Sequence, residues 1–439
     1  MRFGLRTLAT LFTLAVAGPG LAQQATLITG ARIFDGVSDT LIDGQDVLIR
    51  DGLIAAVGAG LDAPEDARVI DAQGRFLMPG FADMHAHLMF QMPFGVAFTA
   101  DREYWAYVAS TVAEQYLMQG FTTVRDVGGN SFSLKRAIDQ GILTGPRVYP
   151  SGPMISQSSG HSDHRTDADA PSTLMDEPST PMKYFHVALA DGRDEVLRTV
   201  REVLRRRASQ IKISVGGGTG SFADPLDTMQ YTDDEIRAAV EAAEDWNTYV
   251  TAHVYNSDGI IRAVENGVKC IEHGNLLSRE AMELMMEHDA WLSPQVIVYT
   301  FHPAGYNDEQ KARHDEAYEG IDQMFTLAKE LGFENIVFGT DVITSPSMIK
   351  RANEEFVLRT RWFDNAEILR QATSKSAELL DLSGPRNPYP GALGVIAEGA
   401  HADILLIDGN PLEDMSVMTE YEERFDLIMK GGEIFKDTL

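Results

Sequence analysis

From Phe81 onward the chain alternates short apolar runs with longer segments whose apolar residues recur every three or four positions. The runs FADMHA, TTVRDV, RVYPS, QIKISV, TYVTAHV, VKCIEH, WLSPQV and NIVFGTD predict strands. Between most of them lie amphipathic segments such as DEVLRTVREVLRRRA, TDDEIRAAVEAAEDW and SDGIIRAVENG, which predict helices. In the second of these, Thr232 with Glu235 makes a capping box. Eight such alternations place the chain in the α/β class, with a (β/α)8 TIM-like barrel over residues 81–388.

The flanks carry a different pattern. Residues 23–80 and 389–439 contain short alternating strands separated by turns, and each flank is too short for a core of its own. One small β-sandwich built from both ends of the mature chain is the economical solution. Residues 151–190 follow the third strand and are rich in Ser, Asp, Pro and Thr, so they predict a long functional loop overhanging the barrel mouth. No internal repeat or low-complexity tract is present.

Residues 1–22 predict a cleavable signal peptide rather than part of the fold. Arg2 and Arg6 start it, LATLFTLAVAG is an apolar core too short to span a bilayer, and Gly20 and Ala22 supply small residues before Gln23. No Cys follows the site and no twin-Arg pair precedes it, so the expected destination is the periplasm or the exterior, without a lipid or membrane anchor. A net charge of −28 argues against nucleic acid or an anionic membrane as partner. The only Cys, Cys270, cannot form an intrachain disulfide and reads as a small buried residue.

The chemistry concentrates in His85, His87, Lys212, His253, His273 and Asp341, each at or just past the end of a predicted strand. Residues i and i+2 of a strand face the same way, so His85 and His87 can reach one metal ion. Two strand histidines can also simply be solvated. The other four residues, each after its own strand, favour the metal, since imidazole and carboxylate together ligate divalent cations. Lys212 is the odd member, because a metal repels an ammonium.

The stretches PGFADMHAHL, QIKISVGGG, TAHVYNSDGI, IEHGNLL and FGTDV, with the flanking β segments, resemble the metal-dependent amidohydrolase superfamily. The resemblance is closer to its imidazolonepropionase-like and prolidase-like branch, which holds Xaa-Pro dipeptidases and ochratoxinase-type amidohydrolases. It implies two divalent ions, Zn2+ by default with Mn2+ or Co2+ as alternatives. His85 and His87 would bind the more buried ion, and His253 and His273 the second. An N6-carboxylated Lys212 would bridge both, and carboxylation makes the ammonium an anion. Asp341 would ligate the buried ion and act as the base of a metal-assisted hydrolysis.

On the substrate side, GHSDHR (160–165) resembles a family Gly-His-Gly-Asp pattern, with Ser162 where Gly is common. It makes His161 a candidate to polarise the carbonyl or hold a carboxylate; a loop His bonded to Asp163 is the alternative. His164 and Arg165 are further candidates. Tyr255 resembles a family Tyr that contacts the substrate carboxylate, and packing is its alternative role. Tyr299, His302 and Tyr306 could line a pocket. Arg125 and Asp126 read as an internal ion pair. His186, His288, His314 and His401 read as surface or structural residues.

The expected activity is an exported, binuclear metal-dependent amidohydrolase cleaving an amide next to a carboxylate-bearing leaving group, with a prolidase-like dipeptidase as the leading case. Hydrolysis of bulkier N-acyl amino acids (ochratoxin-type), or of esters or lactones, is the alternative. A non-catalytic metal-binding protein is a remote third, opposed by the base retained at Asp341. The partners expected are a small amide or dipeptide substrate and further copies of the chain in a homo-oligomer.

Overall fold

The computed structural model describes residues 24–166, 168–175 and 177–439, so the expected signal peptide lies outside the described residues. Six short strands come first: β1 (Thr26–Thr29), β2 (Arg32–Ile33), β3 (Asp46–Arg50), β4 (Leu53–Gly58), β5 (Arg68–Asp71) and β6 (Phe76–Pro79). Four of them form one sheet in the order β4-β3-β1-β5. The β3–β4 hairpin turns on Asp51-Gly52, with φ of 51° and 79°. A two-residue turn needs both central residues in that left-handed region, which Asp-Gly supplies cheaply.

The barrel wall follows as β7 (Phe81–Ala86), β8 (Phe121–Asp126), β9 (Arg147–Pro150), β10 (Met154–Ser156), β11 (Val187–Leu189), β12 (Ile211–Ser214), β13 (Val250–Asn256), β14 (Cys270–Leu276) and β15 (Trp291–Ser293). These strands pair in parallel as two arcs, β7-β8-β9 and β11-β10-β12-β13-β14-β15. The stretch expected as strand eight does not form a ladder. Ile336 bridges to Leu292, the Met84 amide donates to Phe338 O (2.8 Å), and the Asp341 amide donates to His85 O (2.8 Å). Side chains take over the rest, since Asp83 accepts from both the amide and the hydroxyl of Thr340. The segment still lies between β15 and β7 and delivers Asp341 to the mouth.

Helices pack outside the wall as their periodicity requires. In Arg193–Arg205 the buried face is Val196, Val200, Val203 and Leu204, and the capping box of Thr232 with Glu235 is formed. A ring cluster of Phe81, Phe121, Phe338 and Phe356 closes the barrel at the amino ends of β7 and β8, with the tightest pair 4.2 Å apart. The stretch 151–190 is more ordered than a loop, since it contains β10, the short helices Ser172–Met175 and Thr180–Lys183, and β11.

At the far end come β16 (Ile404–Ile407), β17 (Phe425–Lys430) and β18 (Glu433–Asp437), and the second sheet runs β18-β17-β16-β6-β2. Its central pairing joins opposite ends of the chain, Phe76 with Ile407 and Pro79 with Ile404. Ile28, Val47 and Ile49 of the first sheet share a core with Leu77, Ile404, Leu406 and Leu427 of the second. The two faces make the small β-sandwich beside the barrel. Among the described residues, no helix is long and apolar enough to cross a membrane.

Candidate metal and active site

The carboxyl ends of the barrel strands bring His85, His87, Lys212, His253, His273 and Asp341 to the wall of one cavity of about 280 Å³. All six side chains are buried or nearly so. One ligand atom from each of His85, His273 and Asp341 lies within 4.8 Å of the others. His87 joins that group through Asp341, with Nε2 3.3 Å from Oδ1. His253 stands beside His273, ring centroids 4.5 Å apart. His273 and Asp341 hold φ of 71° and 48°, a region that costs a non-glycine residue about 1 kcal/mol or more. Strain of this kind persists where the surroundings fix the residue, and here it aims two of the six side chains.

Fixed acceptors decide which nitrogen carries the proton in the imidazoles of His87, His253 and His273. His85 Nδ1 lies 2.8 Å from Glu272 Oε2, His87 Nδ1 lies 3.2 Å from Gly128 O, and His253 Nε2 lies 3.0 Å from Gly217 O. Gly128 O and Gly217 O can only accept, so His87 Nδ1 and His253 Nε2 donate and the other nitrogen of each ring is bare. His85 Nδ1 is close to Glu272 Oε2 without a hydrogen bond to it, and lies 3.0 Å from Gln295 Nε2. For His273 the argument runs through Gln295. Its Nε2 donates to Ser293 O (2.5 Å), so its Oε1 faces His273 Nδ1 (2.8 Å), which therefore carries the hydrogen.

Consequently the bare Nε2 of His87 faces Asp341 Oδ1 at 3.3 Å, and the Nε2 of His85 lies 3.4 Å from the same oxygen. Lone pairs brought together at that distance repel unless a cation lies among them. The donor set of imidazole and carboxylate suits a divalent metal, and the partners that fix the tautomers are those expected behind metal ligands.

Burial pushes the His85 imidazole down to about 4, and those of His253 and His273 well below the usual range, so all three are neutral bases near pH 7. Burial alone would raise the Asp341 carboxyl, but His85 and His87 hold it well below the carboxylate range. Lys212 is pushed down to about 8, chiefly by burial, with Glu272 and Asp341 opposing. That leaves a fraction of free amine at neutral pH, the form that reacts with CO2.

The structure corrects several expectations. Arg125 does not pair with Asp126, because successive side chains of a strand point to opposite faces. Its guanidinium donates instead to Glu272 Oε1 (2.5 Å), and both groups are fully buried. His161 is bonded to Asp224 (Nδ1–Oδ2, 3.2 Å) rather than Asp163, whose carboxylate is taken by Arg165. The His161 ring stacks on His253 at 3.6 Å and 7°. His164 lines the same cavity, its pKa lowered to about 3 by burial first and by His161 second. Tyr255 also lines it, stacked on His273 (4.7 Å), with its hydroxyl 2.7 Å from that of Tyr299.

His314 is a cavity residue rather than a surface one, since helix Asp308–Leu331 packs its face over the mouth. Tyr306 lines the cavity too, whereas His302 is exposed and paired with Asp315. Glu272, Gln295 and Asp224 were missed by sequence reasoning. Glu272 alone left a trace, as a charged residue inside the apolar run before His273.

Most of the chain is similar to known proteins. The model of the amidohydrolase family matches residues 76–434. Ochratoxinase from Aspergillus niger is 28% identical over 445 residues, covering 94% of this chain and 87% of that protein. The crystal structure of a prolidase complexed with N-methylphosphonate-L-proline matches with a TM-score of 0.87 at 35% identity, covering 94% of this chain and 100% of the other. A Xaa-Pro dipeptidase with bound methionine in its active site matches with a TM-score of 0.81 at 29% identity, over 94% and 100% of the two chains.

Proposed function

The chain belongs to the amidohydrolase family and is a hydrolase acting on amide C–N bonds, and from that premise we propose an exported, binuclear enzyme that cleaves an amide next to a carboxylate-bearing leaving group. A prolidase-like dipeptidase is the first case. His85, His87, His253, His273, Asp341 and a carboxylated Lys212 would hold two divalent ions, Zn2+ by default. Bound there, the ions would supply Lewis acidity and an acidified water. The convergence of His85, His87 and His273 on Asp341 carries this reading.

The chain's own residues divide the remaining work. Asp341, held as a carboxylate, takes the proton of the attacking water and passes it to the leaving amine nitrogen. His161, its Nδ1 turned to Asp224, presents Nε2 to the substrate carbonyl or carboxylate. Tyr255 offers its hydroxyl to the carboxylate of the leaving group, and His164 borders the same space. Gln295 keeps the His273 imidazole in the tautomer that leaves Nε2 bare, and Glu272 places a carboxylate behind His85.

One observation favours a bulkier substrate as the second reading. Beside the histidines the cavity is walled by Phe90, Met154, Phe222, Val298 and Pro303, which suits an aromatic N-acyl amino acid of the ochratoxin type. The deciding experiment is a hydrolysis screen of the zinc-reconstituted mature protein. Its panel holds Xaa-Pro and general dipeptides, N-acyl amino acids and esters, with products identified by mass spectrometry. Turnover confined to dipeptides establishes the dipeptidase. Turnover of N-acyl amino acids or esters alone moves the substrate to the second class, and silence across the panel leaves a metal-binding protein. Metal analysis giving one ion per chain in active enzyme would sink the binuclear site. An N-terminus at Gln23 in secreted protein and an oligomeric mass in solution would support export and self-association.

A further inference from the structure

Behind Tyr255 runs a chain of hydrogen bonds whose direction the structure fixes from one end. Ser293 O can only accept, so the Gln295 amide nitrogen faces it and the amide oxygen faces His273 Nδ1. His273 Nδ1 therefore carries a hydrogen. The Tyr299 hydroxyl lies 3.0 Å from that same nitrogen and, facing an N–H, can only accept there. Its own hydrogen is then free for one partner, the Tyr255 oxygen at 2.7 Å. Tyr255 thus receives a hydrogen bond from behind and must aim its own O–H elsewhere, toward the cavity it lines.

One further observation gives this direction a use. Among the described residues lining the cavity there is no arginine, and the only lysine is Lys212 in the histidine cluster. A carboxylate held away from the cluster therefore meets no arginine or lysine, and a hydroxyl presenting oxygen rather than hydrogen would repel it.

We infer that Tyr299 is a positioning residue that fixes Tyr255 as a hydrogen-bond donor to the carboxylate of the substrate's leaving group, its own orientation being set by His273. This deepens the function proposed above and rests on it. The arrangement links recognition of one end of the substrate to the tautomer of a metal-site histidine, with no charged side chain between them. A hydrogen bond received by Tyr255 also polarises the one it gives.

The test measures binding rather than turnover. Zinc-reconstituted wild type, Tyr255→Phe, Tyr299→Phe and the double variant are titrated calorimetrically with L-proline and L-prolinamide, and with L-phenylalanine and L-phenylalaninamide. Metal content and melting temperature are recorded for each. Wild type is expected to prefer at least one acid over its amide. Tyr255→Phe should lower that preference about tenfold and Tyr299→Phe about fivefold, as expected for a charge-assisted hydrogen bond and its orientation. The double variant should lose no more than Tyr255→Phe alone, because the two hydroxyls act as one unit. Tyr299→Met, a second replacement without a hydroxyl, should repeat the loss if the Phe variant folds poorly. An undiminished preference in folded Tyr299 variants, or a double loss equal to the product of the single ones, overturns the relay and leaves the proposed function standing. A wild type indifferent to acid or amide overturns the carboxylate-bearing leaving group and the relay with it.

Discussion

Replacing Glu272 by Gln keeps the size of the side chain and removes one charge where several donors converge. Glu272 Oε1 accepts from Arg125 (2.5 Å), from the Thr251 hydroxyl and from the Cys270 thiol (3.6 Å), Oε2 lies 2.8 Å from His85 Nδ1, and the carboxylate is fully buried. The amide oxygen can take the place of Oε1, but Arg125 then holds a buried positive charge without a counter-ion, which costs about 3 to 5 kcal/mol. The NH2 then faces His85, where it removes the carboxylate charge behind that imidazole, and metal affinity falls by about 10- to 100-fold.

Equilibrium urea unfolding of the apo and zinc-loaded forms measures the first effect, and zinc competition with a chelator the second. The pH dependence has a definite sign. Burial alone would raise the Glu272 carboxyl, but Arg125, His85 and Lys212 bring it well below the usual range. Its contribution is thus present above the ordinary carboxylate pKa and lost as the pH falls toward acid, a loss the Gln variant lacks. Arg125→Met/Glu272→Met should regain much of the stability without regaining the zinc affinity, since apolar replacement of a buried pair is often neutral. A Glu272→Gln protein within about 1 kcal/mol of wild type and with unaltered zinc affinity refutes both roles.

Gly218→Ala places a Cβ 1.9 Å from His161 Nδ1, so it should unseat that imidazole from Asp224; the expected result is a KM raised about tenfold with the melting temperature nearly unchanged, read by steady-state kinetics. Asp341→Asn should lower turnover by at least about 100-fold while metal analysis still finds metal, because a neutral amide can ligate weakly but cannot take a proton. His186 stacks on Trp105 at 4.1 Å and accepts from the Asn130 amide, and burial pushes its pKa down to about 3. The unfolded chain then binds the extra proton, so stability rises with pH from about 3 to 6.5 by up to roughly 1.4 kcal/mol per pH unit. His186→Phe should flatten that slope in urea unfolding at several pH values, and an unchanged slope would show that His186 is not its source.

Much of this was legible in one dimension because local rules were in force. Strand periodicity and the capping box at Thr232 each depend on neighbours in sequence, and the structure keeps both. The metal-site histidines stood out because an imidazole at the end of an apolar run has few structural reasons to be there. What escaped was set by distance across the barrel. Glu272 and Arg125 lie on different strands, and the order of strands around the wall brings them together. Asp224 and His161 come from two loops that meet only above the mouth. The eighth segment was misread because its β-rich composition gives no sign that Asp83 would take its hydrogen bonds.

The pairing of β6 with β16 sets the order in which the molecule can be completed. Phe76–Pro79 is made early in synthesis and runs almost directly into β7, yet the strand that covers its edge, Ile404–Ile407, comes after the entire barrel. Contacts so far apart in sequence form slowly. Until they do, β6 offers an unpaired apolar edge of the kind that invites other chains. β16, with β17 and β18 paired beyond it, therefore acts as a lock that closes only after the whole barrel has been made. A ribosome stalled within the barrel would leave a nascent chain with its most adhesive edge uncovered, at the end that emerged first.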